Sequence, residues 1–294
     1  MSQHIDETND RPRVGIVLGG GGETGIAWQT GVLAALHKIG LNPATTDVVT
    51  GTSAGALTGA LYSAGLNLDD LVEKELNGDV ASAPLPAGEG LSAIPAEIIA
   101  ALGSTEGTIE ERGRRIGALA LAAPTLITSE DWVAYVTTTM LRGASWPALD
   151  FRPTSVDART GETILWKSTD GVPLGAAVAS SAAVPGFLPP VEINHRHYVD
   201  APRTSFSAAL VSEKDLSVVI YVGMPTPNLS NTVEESALDK LEAGGLAVVR
   251  ITGGEGSDEI IRNALDPAVR PRAAQLGLRD GAAAASAVAA LLHP

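Results

Sequence analysis

Residues 47–61 read DVVTGTSAGALTGAL. The run at 47–50 predicts a buried strand, GTSAG at 51–55 a sharp turn, and the stretch that follows a helix closed by Gly65. At the centre of the turn lies G-x-S-x-G, formed by Gly51, Ser53 and Gly55. In a strand-to-helix elbow the nucleophile adopts strained backbone angles, and the flanking glycines let strand and helix approach each other. A serine N-cap on a glycine-rich turn would use the same five residues, so both readings of Ser53 stand at this point.

Upstream, residues 13–40 read RVGIVLGGGGETGIAWQTGVLAALHKIG. A strand is expected at 14–18, a glycine turn at 19–22, and a helix through Ile26, Val32, Leu33, Leu36 and Ile39. Two βα units in succession predict an α/β fold with a mostly parallel central sheet, helices on both faces and right-handed crossovers. A glycine turn opening a helix presents backbone N–H groups at a positive helix end and suits an anionic oxygen. Residues 20–25 also match the dinucleotide pattern G-x-G-x-x-G, but Asp47 opens the strand that ends in GTSAG instead of capping a second strand. The two glycine turns therefore fall at neighbouring strand ends, an arrangement that favours acyl transfer over pyrophosphate binding. No lysine follows the glycines as a phosphate-binding loop requires, and no nucleotide is expected.

The chain has 294 residues, 45% of them hydrophobic, enough for one sizeable domain. Residues 1–11 are polar and read as a disordered tail, leaving 12–294 as a single domain. The stretch 77–107 is rich in Gly, Pro, Ala and Ser and reads as a lid or insertion. Helices are expected near 111–121, 130–140 and 173–183, a hairpin at 155–166, strands at 217–223 and 246–252, and two closing helices around DPAVRPRAAQLGL at 266–278. Trp28, Trp132, Trp146 and Trp166 read as core or lid anchors.

Cysteine is absent, which excludes thiolate catalysis, thiolate metal sites and a disulfide framework. The carboxylates in DETND, LDD and SEDW are scattered as solvated surface and helix caps, so no metal or other cofactor is expected. A net charge of −14 argues against nucleic acid and against tight docking on anionic lipid. The N-terminus lacks the basic start and apolar core of a signal peptide, and no apolar run reaches the roughly 18 residues of a membrane span. A cytoplasmic location is the expectation.

A nucleophilic serine needs a base. Of the five histidines, His4 lies in the tail, His37 on the first helix, His195 and His197 on a hairpin, and His293 at the frayed end; none is well placed. A desolvated aspartate hydrogen-bonded to the hydroxyl can serve instead. Asp200 ends the apolar run HYVD where a strand enters a turn, the position at which α/β sites place their chemistry.

The blocks LGGGGETGIAWQTGVL, GTSAGAL, ASSAAVPGFLPPVEI and YVDA, in this order, resemble the patatin-like phospholipase family over roughly residues 12–225. The resemblance implies a three-layer α/β sandwich whose catalytic dyad is Ser53 and Asp200, with Gly20, Gly21 and Gly22 as the oxyanion hole and no histidine. It implies a serine acyl hydrolase for lipid or ester substrates, of phospholipase A, lysophospholipase or esterase type, that makes at most transient contact with a membrane surface. Two departures from the family pattern stand out. Thr24 occupies the place of an Arg or Lys, and Asp200-Ala201-Pro202 replaces Asp-Gly-Gly or Asp-Gly-Ala. They leave one alternative open: a patatin-like fold that has lost efficient catalysis and holds an acyl chain or a protein partner.

Overall fold

The computed structural model describes residues 11–82, 94–200, 206–213, 215–225 and 232–293. The tail 1–10, the middle of the expected lid at 83–93, and Ala201 and Pro202 lie outside the described residues. The chain opens with β1 (Val14–Leu18), α1 (Gly22–His37), β2 (Val48–Gly51), α2 (Ala54–Ser63) and α3 (Leu68–Asn77). Then come α4 (Ala96–Gly103), α5 (Ile109–Ala122), α6 (Ser129–Tyr135), β3 (Asp150–Asp157), β4 (Thr163–Leu165) and α7 (Leu174–Ser181). The rest is β5 (Val191–Ile193), β6 (Arg196–Val199), α8 (Phe206–Glu213), β7 (Val218–Val222), α9 (Thr232–Ala243), β8 (Ala247–Ile251), α10 (Ser257–Arg262) and α11 (Arg270–Leu292).

The strands form one sheet in the order β5-β6-β3-β2-β1-β7-β8, with β4 paired to β3. The run from β3 to β8 is parallel, and β4, β5 and β6 make an antiparallel edge. β1 and β7 are buried along their whole length, as expected of strands covered on both faces. Their side chains nevertheless divide with a period of two. Val14, Ile16, Leu18, Val218, Ile220 and Val222 join one core cluster, while Val17, Val219 and Tyr221 join another. The first cluster lies under α1, α2, α7 and α11, and the second also takes Ala120 of α5, Leu210 of α8 and Leu238 of α9. This is a three-layer α/β sandwich with helices on both faces, as the two βα units predict.

The two closing helices expected around 266–278 are α10 and α11, and α11 runs unbroken from Arg270 to Leu292. Pro271 sits in its first turn, where the missing N–H has no partner to lose, so the proline starts the helix instead of breaking it. α11 packs along α1, and the Trp28 Nε1–H donates to Asp280 Oδ2 at 2.9 Å across that contact. The other tryptophans also anchor the core through their ring N–H: Trp132 to Ala179 O, Trp146 to Val172 O, and Trp166 to Ser155 Oγ. On the C-terminal side of the expected lid, Ile94, Ile98, Ala101 and Leu102 are buried in the larger cluster, so this part of 77–107 is packed core. No described helix is long and apolar enough to cross a membrane.

Candidate active site

Both glycine turns sit at the C-terminal ends of adjacent parallel strands, with Leu18 of β1 opposite Gly51 of β2. Ser53 occupies the N-cap position of α2, yet its side chain makes no capping hydrogen bond. Its φ of 55° and ψ of −117° are far from the extended angles of a capping serine and belong to a sparsely populated region. The serine-cap reading therefore fails, and the turn is a strained elbow. A side chain at either flanking glycine would prevent it. A Cβ on Gly51 would overlap the carbonyl of Gly55, and one on Gly55 would overlap the carbonyl of Leu18.

The strain is held by the last residue of α7. The Ser53 N–H donates to both Ser181 O and Ser181 Oγ, each at 3.1 Å. Two residues further on, Ala183 O accepts the Asp200 N–H at 3.0 Å. Because two residues span at most about 7 Å of chain, one short segment ties down the backbones of both Ser53 and Asp200. Ser53 is 8% exposed and Asp200 6%, so both side chains are largely shielded from water. Sequence reasoning placed Asp200 at a strand end but missed Ser181, although the block ASSAAVP that contains it was already in view.

The first glycine turn lies against the elbow: a Cβ on Gly20 would come 3.7 Å from Ser53 Cβ, and one on Gly25 would come 3.2 Å from Ala54 Cβ. The N–H groups of Gly20, Gly21 and Gly22 donate to no group among the described residues. Gly22 has φ +60°, and a Cβ there would meet Ala264 O at 2.5 Å, so the loop is clasped from behind by the segment after α10. Thr24, where the resemblance implies an Arg or Lys, is fully buried. Its Oγ1 donates to Ile260 O at 3.1 Å and its N–H to Ala264 O at 3.2 Å. A short hydroxyl thus fastens α1 to α10 where a long cation would need space.

Electrostatics behind the loop rest on residues that no sequence pattern connects. Arg270 of α11 is 3% exposed; it donates to Glu75 Oε2 at 2.9 Å and also pairs with Glu23 in the first turn of α1. Burial alone would pull the guanidinium pKa down, but the bonds and charges of Glu75 and Glu23 outweigh it and raise the pKa. The Glu23 carboxylate lies next to the glycine turn, and Arg270 neutralises its charge. The arginine and Glu23 stand 247 positions apart, which is why the pair escapes a sequence reading. Among the described histidines none is buried: His37, His195 and His293 are exposed and His197 is half-buried.

Several known proteins resemble this chain. A lysophospholipase of Aspergillus terreus is 54% identical over 50 residues, covering 17% of this chain and 3% of its own. A lysophospholipase of Chaetomium globosum is 44% identical over 71 residues, covering 24% and 4%. The chain thus spans a small part of those relatives. Among solved structures, VipD from Legionella pneumophila aligns over 92% of this chain and 67% of its own, at TM-score 0.44 and 11% identity. The type III effector ExoU aligns over 95% and 53%, at TM-score 0.42 and 18% identity. The profile of the patatin-like phospholipases matches residues 16–202, more than half of the chain and the stretch that carries both glycine turns, the elbow and Asp200, and by that match the chain belongs to the patatin-like phospholipase family.

Proposed function

We propose that the protein is a serine acyl hydrolase that cleaves carboxylic esters of lipid-like substrates through a Ser53–Asp200 dyad. The observation that carries this reading is the elbow itself. A buried serine held at φ 55° with no capping role, beside a turn whose N–H groups are uncommitted, is an arrangement that costs folding energy and suits nucleophilic attack.

In the proposed reaction Ser53 Oγ attacks the ester carbonyl while Asp200 takes the hydroxyl proton. The carbonyl oxygen becomes an anion and is received by the N–H groups of Gly20, Gly21 and Gly22. Collapse of the tetrahedral intermediate expels the alcohol, which recovers the proton from Asp200 and leaves an acyl-enzyme on Ser53. Water, deprotonated by Asp200, attacks that acyl group; the carboxylic acid departs and Ser53 regains its proton. Local matches to lysophospholipases support lipid esters as the substrate class.

The test is covalent labelling. A fluorophosphonate is expected to modify Ser53, located by peptide mass spectrometry, and Asp200→Asn is expected to lower ester turnover by about a hundred-fold or more. Folded protein that stays unlabelled and turns over no ester, yet binds fatty acid, would instead support the impaired, acyl-binding alternative. Unchanged turnover in Asp200→Asn would remove that residue from the mechanism.

A further inference from the structure

Gln29 lies in the middle of α1 and is fully buried. Its Nε2 donates to Gly19 O at 2.6 Å, reaching back ten residues to the start of the glycine turn. The Gly19 N–H is already committed to Val222 O of β7 at 2.9 Å, so both polar groups of this residue are tied down, one to the sheet and one to the helix. The described chain contains no cis peptide bond. In a trans peptide the carbonyl and the following N–H point in opposite directions. Pulling Gly19 O toward α1 therefore turns the Gly20 N–H the other way, and Gly20 is the residue of the turn that packs on Ser53. The next-but-one peptide repeats the device: Gly21 O accepts the Gly25 N–H at 2.9 Å, which turns the Gly22 N–H outward as well.

Stability does not explain the choice of glutamine. The Gln29 Oε1 is buried and has no partner among the described residues, and a buried amide with an orphaned oxygen works against folding. An apolar side chain would fill the same space without that oxygen. What glutamine adds is one donor aimed at one carbonyl. We infer that Gln29 is a positioning residue for the proposed ester hydrolysis: its side-chain amide holds the Gly19–Gly20 peptide in the orientation that presents the Gly20 N–H to the oxyanion.

Two variants test this. Gln29→Met keeps length and volume and removes the donor, and Gln29→Leu removes the donor with a shorter, branched side chain. Hydrolysis of p-nitrophenyl butyrate is measured per site titrated to completion with a fluorophosphonate, so that any unfolded fraction drops out. In both variants kcat is expected to fall about ten- to a hundred-fold, with KM within about threefold of the wild type, because an oxyanion donor acts on the transition state and not on the bound ester. A kcat within about twofold of the wild type in either folded variant, or a loss confined to KM, overturns the role. The inference rests on the Ser53 reading, and the failures separate. Wild-type protein that neither labels at Ser53 nor turns over ester defeats both, whereas labelled, active wild type with indifferent Gln29 variants defeats only the positioning role.

Discussion

After β1 the chain crosses into α1 through four glycines, and after β2, one strand over, it crosses into α2 through GTSAG. Both crossings join a parallel strand to a helix at the same end of the sheet, and both use conformations that side chains disfavour. The first presents backbone and the second presents a side chain. At the first, carbonyls are drawn back to α1 by Gln29 and Gly25, which leaves N–H groups uncommitted. At the second, the backbone N–H of Ser53 is the group drawn away, to Ser181. What a strand-to-helix turn offers a ligand is thus decided less by its own residues than by which of its polar groups a neighbouring element claims.

The most damaging way to break this comparison is to remove the close approach that permits the elbow. In Gly55→Ala the added Cβ would press on the Leu18 carbonyl, which belongs to the first crossing. Both turns must shift, and unfolding in urea is expected to show a loss of about 3 kcal/mol, the upper end for overpacking. A milder change sharpens the role of Ser181. Ser181→Ala removes one of two acceptors of the Ser53 N–H and leaves the Ser181 carbonyl in place. It is expected to cost about 1 kcal/mol and to lower kcat less than tenfold, read by thermal unfolding and ester turnover.

A third strand end gives the smallest effect. β3 turns back into β4 instead of entering a helix, and Asp157 at its end accepts the N–H groups of Arg159 and Thr160. Burial pushes its pKa up, but those two donors and the Arg196 guanidinium outweigh burial and hold the carboxyl below its ordinary value. A depressed carboxyl stabilises the fold above its unfolded value near pH 4, and that contribution fades as pH falls through the lower folded value. Asp157→Asn keeps the oxygen that accepts both N–H groups and loses the charge and the ion pair with Arg196. Its stability deficit is expected to be under about 1 kcal/mol at neutral pH and to close below about pH 4, as followed by chemical denaturation across pH.

Much of the architecture was legible because the signals are local. The runs around Val14–Leu18 and Val218–Val222 announce buried strands, and the glycines after the first of them announce a turn. Asp200 was legible as an acid at a strand end, while the carbonyl that anchors it, Ala183 O, was not. The two closing helices were legible around 266–278, while the place of Pro271 in the first turn of α11 is set by the helix register. Ser53 could not be decided between cap and nucleophile, because both readings share the same five residues and differ in φ and ψ. The Glu23–Arg270–Glu75 cluster left no trace, as its members lie on three separate helices.

The sequence by itself determined where buried strands run, where glycine makes close approach feasible, and that no cysteine can take part. Those are consequences of side-chain size, branching and polarity, which act within a few residues of themselves. Only the tertiary structure decided which way the peptides of the two turns face, and what neutralises the carboxylate behind them. A peptide's direction is set by whatever accepts or donates to it, and here those groups arrive from α1, β7 and the end of α7, while α11 brings the arginine, all gathered by packing of the whole sheet.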